Sequence, residues 1–349
     1  MADVDGAKRY DRVAMPMMRR AAILLVAACG GSPASGTPDA ASDAMTSQPD
    51  AASSSLGMVS GVMDIACPTG SPTGLSCKRI TVAGCPGIEN ETVDATIGIL
   101  PATGTVKGTI THHSGGGGQG FQLGATPMYQ GAGFRQVYVA WASDWEQTQS
   151  AGIKTAACRP ATVMRWIFDE LHGGSRSEAF CGEGFSGGSG QLGYALAQYG
   201  LGDYFDYVNE LSGPPFTRID LGCDGDAPAT AQVCNATVTM RLPARVDPWE
   251  NTSTCGTTNV PAADLAKWNS DSIAVGGTYA YPKTRVEFFD CTYQATAVTA
   301  MAQLFHDQIT SEKMFHCYSQ ADGCQGEGLG TGNQEAARAM IAGCTPRHQ

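Results

Sequence analysis

The stretch that most constrains this chain is residues 177–200, SEAFCGEGFSGGSGQLGYALAQYG. A short apolar run of Ala179, Phe180 and Cys181 leads into Gly184-Phe185-Ser186-Gly187-Gly188. Leu192, Ala195, Leu196 and Tyr199 then recur at the i, i+3, i+4, i+7 spacing of one helix face. The pattern predicts a strand, a tight turn and a helix, with Gly-x-Ser-x-Gly at the bend. Side chains at Gly184 or Gly188 would collide with the neighbouring strand and helix. The bend lifts the Ser186 hydroxyl out of the sheet, and the helix N-terminus favours negative charge forming beside it. Two other readings share these letters. Gly182, Gly184 and Gly187 spell G-x-G-x-x-G, followed by Asp203 and Asp206 at roughly the distance of a ribose-binding acid. That fingerprint opens the first strand-helix unit of a domain, however, and this one lies mid-chain. A chain with 44 glycines also makes ordinary glycine-rich turns.

The 349 residues suit one large domain, or one domain with an inserted subdomain. Residues 1–28 read as an export signal with an upstream extension over 1–16, Met17 or Met18 being the plausible start. Arg19 and Arg20 precede an apolar run over 21–28, which is too short to span a bilayer. The segment resembles a bacterial lipoprotein signal, a resemblance that implies lipidation of Cys29 directly after the cut; a plain signal peptide cut nearby is the alternative. Residues 29–56, rich in Ser, Ala, Pro and Asp, read as a disordered tether holding a folded domain, 57–349, off a membrane surface.

Residues 1–28 hold five basic and three acidic residues, so their removal takes the net charge from −11 to −13. An acidic protein repels phosphate backbones, which disfavours nucleic-acid binding. Of thirteen cysteines, twelve follow Cys29, an even number with no C-x-x-C among them. This counts against zinc or a redox dithiol and favours disulfides in an oxidising compartment. No metal or cofactor is expected. Close neighbours such as Cys67/Cys77 and Cys223/Cys234 are expected to close short loops.

Strands are predicted at 78–82, 96–100 and 105–111, the third running into His112-His113-Ser114-Gly115-Gly116-Gly117-Gly118. Such a run is either a flexible loop or a place where backbone N–H groups converge on an anion, which glycines permit. No Lys-[Ser/Thr] follows it, so it is not a P-loop. Residues 134–142 make an apolar strand, and Pro160 opens a helix over 161–171. After the central stretch come a short strand at 207–211 and a polar, cysteine-bearing segment at 223–281. This segment reads either as a disulfide-tied insertion capping the strand ends or as surface loop, with one helical signature at 262–268. A strand at 285–289 with Asp290, a helix at 296–309, a strand at 313–318, a glycine-rich loop at 323–332 and a helix at 334–341 complete the chain. Strands alternating with helices predict an α/β fold with a mostly parallel sheet covered on both faces. Ligands then bind at the carboxyl ends of the strands, where Ser186 and the glycine run would lie.

Taken together, the glycine run, the G-x-S-x-G turn, the late strand-borne acid and the final strand-loop-helix resemble the α/β-hydrolase fold over roughly 78–344. The run resembles the HGGG-type oxyanion loop of esterases and lipases. The resemblance implies cleavage of an ester or similar acyl bond. Ser186 would attack, Gly187 N–H and that of Gly116 or Gly117 would hold the oxyanion, and Asp290 would orient a histidine; Asp220 is the alternative acid. The chain departs from the family at the histidine, which belongs in the loop after the last strand. That loop, 319–333, holds Glu327 and no histidine. His316, within the last strand, is the first candidate for the base, and His112 or His113 beside the glycine run is the second. His348 lies at the chain end, His172 precedes the strand that leads to Ser186 and is expected at the opposite end of the sheet, and His306 falls on a helix face, where a packed or solvated imidazole is the ordinary reading.

The leading expectation is thus an exported, surface-anchored serine hydrolase acting on a small-molecule or lipid-like ester. The alternatives are a hydrolase-fold envelope protein that lost its base and binds without turnover, and a nucleotide-binding domain, which export disfavours.

Overall fold

The computed structural model describes residues 55–148, 151–226, 229–241, 254–291, 297–318 and 331–349. The chain enters through three strands, β1 (Met58–Ile65), β2 (Ser76–Ala83) and β3 (Val93–Leu100). β2 and β3 alternate buried and less buried positions, as strands with unequal faces do. β4 (Gly108–His113) and β5 (Phe134–Trp141) are buried almost throughout, as central strands covered by helices on both faces must be. They are followed by β6 (Ala179–Phe185), β7 (Tyr207–Leu211), β10 (Arg285–Cys291) and β11 (Lys313–Tyr318). β8 (Thr230–Val233) and β9 (Ala236–Thr239) pair only with each other.

Among the described residues one nine-stranded sheet runs β1-β2-β3-β5-β4-β6-β7-β10-β11. The pairs β1/β2, β2/β3 and β3/β5 are antiparallel. Every pair from β5/β4 to β10/β11 is parallel. The helices are α1 (Thr126–Gly131), α2 (Ile153–Ala156), α3 (Cys158–Trp166), α4 (Gly187–Tyr199), α5 (Ile219–Cys223), α6 (Ala262–Asp271), α7 (Ala297–Gln308) and α8 (Thr331–Gly343). α3 continues into a wider helical turn over Ile167–Leu171. One apolar layer gathers Val163, Leu192, Leu196, Phe288 and Phe305 from α3, α4, β10 and α7. On the opposite face Tyr129, Cys181, Tyr207, Ala337 and Met340 join α1 and α8 to the sheet. The chain leaves β4 for β5 on one side and later places β6 on the other. That reversal of strand order opens a crevice at the carboxyl ends of β4 and β6.

The fold class read from the sequence is the one observed. β1, α1, α2, α5 and the β8–β9 hairpin were not legible, being short or exposed. Five disulfides join described residues. Cys67–Cys77 closes the short loop expected of it. Cys223 and Cys234 are not partners: Cys223 pairs with Cys255, and Cys234 with Cys317 on β11. Chain proximity misled here because Cys234 sits at the tip of a hairpin with Asn235, both at positive φ, and projects toward another element. These two bridges tie 223–281 to itself and to the edge strand. Cys85–Cys158 and Cys181–Cys344 complete the set. No described helix is long and apolar enough to cross a membrane. The expected signal, Cys29 and most of the tether lie outside the described residues.

Cys181–Cys344 pins the chain end to the strand that carries Ser186 and spans 163 residues. Loop-closure entropy for a span of this size corresponds to about 5 kcal/mol. Replacing both cysteines by alanine is expected to lower the unfolding free energy by up to about that amount in urea titrations. An unchanged midpoint would contradict this.

Candidate active site

Ser186 follows β6 directly and caps α4 with φ 51° and ψ −114°, a conformation that non-glycine residues rarely adopt. Such strain costs about 1–3 kcal/mol and persists only where the surroundings over-determine it. Here the Ser186 N–H donates to Leu211 O at 2.8 Å, extending the β6/β7 ladder through the bend. Its carbonyl accepts from the Gly190 N–H at 3.2 Å and from the Ser189 hydroxyl. The serine itself is only partly buried.

The glycines around it are dictated by contact. A Cβ at Gly184 would lie 2.5 Å from Gly188 O. One at Gly188 would lie 1.9 Å from His113 O, and one at Gly187 would lie 2.1 Å from Gly116 O. The start of α4 therefore rests backbone-on-backbone against residues 113–116, at the end of β4. The glycine run is itself shaped by backbone bonds. Gly118 N–H donates to Gly115 O, while Trp145 N–H and Trp141 N–H donate to Gly117 O and Gly118 O at 3.1 and 2.8 Å. Gly116 and Gly118 take positive φ, and Asp144 packs against Gly117. The structure thus brings Ser186, Gly187, Gly116 and Gly117 into one place. The amides of Gly187, Gly116 and Gly117 donate to no acceptor among the described residues. For Gly187 this follows from its place in the first turn of a helix.

The expected acid and base are not brought together. Parallel register sets Phe185, Leu211, Phe289 and His316 in one row across four strands. His316 stacks on Phe289 with ring centroids 4.3 Å apart, and its Nε2 meets Glu287 Oε2 at 2.7 Å. Glu287 lies two residues back along β10, away from the carboxyl end. His316 is also three strand spacings from Phe185, about 14 Å. Asp290 is the next residue after Phe289, so strand alternation turns it to the other face, where Thr299 of α7 hydrogen-bonds it. Period-two geometry therefore places Asp290 and His316 on opposite sides of the sheet. Asp220 is engaged by the Arg218 guanidinium.

All six histidines lie among the described residues, and none hydrogen-bonds the Ser186 hydroxyl. His112 is buried, with Nδ1 3.3 Å from Glu183, whose other oxygen accepts from the Tyr129 hydroxyl. His113 is fully buried between Gln191 and Thr111, and burial drives its pKa down to about 3, leaving it neutral. His172 bonds Thr109 and Ser175 O, His348 meets Phe205 O, and His306 lies on α7 beside Asp307. Glu287 is opposed in its ionisation by burial, yet His316, Arg285 and Tyr207 outweigh this and hold its pKa below the ordinary value.

Sequence reasoning missed Glu210, which is fully buried on β7 with neither carboxyl oxygen hydrogen-bonded among the described residues. Burial, and secondarily Asp290, push its pKa well above the ordinary carboxylate value. Burial does the same to Asp290. The one available signal was an acid inside the apolar strand run Tyr207–Leu211.

An α/β-hydrolase-like sheet with a serine on a strained bend after its central parallel strand defines the class of site. No protein-family model matches the sequence, and no curated protein matches it. Solved structures do match in fold. The acetyl xylan esterase from Paenibacillus sp. R4 aligns at TM-score 0.51 and 10% identity, over 81% of this chain and 88% of that one. EstE1, a thermophilic carboxylesterase cloned from a metagenomic library, aligns at TM-score 0.47 and 10% identity, over 81% and 92%.

A group whose folded pKa is raised contributes stability below its unfolded value and loses it as pH climbs toward the folded value. Glu210→Gln, uncharged at every pH, is therefore expected to gain on the wild type as pH rises from the ordinary carboxylate range, about pH 4, toward the higher pH at which the buried carboxyl ionises. The gain approaches about 1.4 kcal/mol per pH unit until the folded carboxyl ionises. Thermal unfolding across that range reads the gap; a gap that stays constant or narrows with pH contradicts the assignment.

Proposed function

We propose that this protein is a serine-type hydrolase of carboxylic esters. The observation that carries the reading is the close approach of Gly187 to Gly116, which sets the strained serine beside unpartnered amides. In this reading the Ser186 Oγ attacks the acyl carbonyl, and the carbonyl oxygen becomes an oxyanion held by the N–H of Gly187 and of Gly116 or Gly117. The C–O bond to the alcohol breaks, the alcohol leaves with a proton, and water then hydrolyses the acyl-serine. The like-folded acetyl xylan esterase supports the fold on which this rests.

Serine is a poor nucleophile without an imidazole to accept its proton. With His316 held by Glu287 and Asp290 on the other face, the proposal rests on the oxyanion side of the machinery. Enzymes stripped of a triad member keep about 10³–10⁴-fold acceleration over water from such stabilisation and binding alone. Slow turnover of an activated aryl ester, of that order over the uncatalysed rate, is accordingly expected. A binding protein built on the same fold is the second reading. The same proposal places the domain outside the cytoplasm, lipid-anchored at Cys29. Five disulfides support an oxidising compartment.

A fluorophosphonate probe is expected to label the wild type and not Ser186→Ala. Labelling without turnover supports the binding reading; no labelling of the wild type removes the hydrolase reading.

A further inference from the structure

Gln191 lies on α4, five residues beyond Ser186, and is fully buried on a helix whose other buried residues are Gly, Ala, Leu, Tyr and Ser189. Its Oε1 receives two bonds: from Trp141 Nε1–H at 3.2 Å and from His113 Nδ1 at 3.2 Å. Because indole only donates, the Trp141 bond fixes which end of the amide is oxygen. His113 Nδ1 must then carry the proton. Its Nε2 is left to accept from the Thr111 hydroxyl at 3.2 Å, and burial keeps the ring neutral. The Gln191 Nε2 has no partner among the described residues and lies 3.0 Å from where a Cβ of Gly118 would stand, with Trp141 Cδ1 at 2.6 Å from the same point.

One side chain on α4 thus joins His113, two residues before the glycine run, to the residue whose N–H holds its far end, Trp141. The run's own carbonyls at Gly117 and Gly118 are tied to Trp145 and Trp141, and Gly116 O lies against Gly187 at the start of α4. We propose that Gln191 is a positioning residue that sets the glycine run, and with it the Gly116 and Gly117 amides, against Ser186. The inference rests on the hydrolase reading for its catalytic consequence but not for its structural one. A buried acceptor shared by two donors resists removal, because deleting it strands both N–H groups away from water.

Gln191→Met keeps size and helix propensity but removes the acceptor; Gln191→Glu keeps an oxygen in place. Hydrogen exchange of the peptide covering residues 114–118, in which the Gly118 N–H is bonded to Gly115 O and so reports whether the turn is held, is compared in wild type and both variants at a temperature where all are folded. Exchange there is expected to quicken at least about tenfold in Gln191→Met with α4 unchanged, and to return toward wild type in Gln191→Glu. Phosphonylation of Ser186 and kcat should fall together by about tenfold to a hundredfold in Gln191→Met with KM held, since a misplaced oxyanion donor costs up to about 10²–10³. Unchanged exchange at 114–118 overturns the inference whatever the activity. A wild type that is never labelled, with exchange behaving as stated, leaves the positioning role standing and removes the hydrolase reading instead.

Discussion

Everything at the candidate site depends on two stretches of backbone lying against each other with no side chain between them. The first turn of α4 meets the end of β4 at Gly187/Gly116 and Gly188/His113, with room at neither place for a methyl group. Two consequences follow from that closeness. The serine between strand and helix is forced into positive φ, and amides that a helix start cannot satisfy internally face the same spot as those of the glycine run. Both consequences are needed for an anion to be stabilised, and neither arises if the helix stands even one carbon further out.

The sheet supplies the frame and also the limits. Strand-order reversal beside β4 opens the crevice, and parallel register fixes which residues share a row. The same register works against a triad. Asp290 and Glu210 turn toward α7 as buried, poorly partnered acids, while Glu287 and His316 pair on the α8 side. An odd offset of three residues along β10, from Glu287 to Asp290, separates the two groups by the full thickness of the sheet. The proposed oxyanion side is therefore more complete than the proposed proton-transfer side, which is why the proposed chemistry leans on amides rather than on imidazole.

Much of this was legible in the sequence because the decisive features are local. The elbow, the glycine run and the strands at 207–211 and 313–318 each announce themselves through spacing or apolar runs, and glycine needs no partner to be recognised. The faces of strands and the mates of cysteines were not legible. Asp290 and His316 looked like neighbours in chain order, and only the registration of β10 on β11 turns them apart. Cys234 looked like a partner for Cys223 until the β8–β9 hairpin carried it to β11. Gln191 gave no sign at all: a polar residue on a helix reads as solvated until the burial of that helix is known.

The central claim is that the amides beside Ser186 form an anion site. A crystal structure of the protein reacted with a fluorophosphonate tests it most directly. The account predicts a covalent bond from Ser186 Oγ to phosphorus, with the phosphoryl oxygen about 2.7–3.1 Å from Gly187 N and from Gly116 or Gly117 N. A phosphoryl oxygen turned to solvent, with those amides bonded elsewhere, would contradict it.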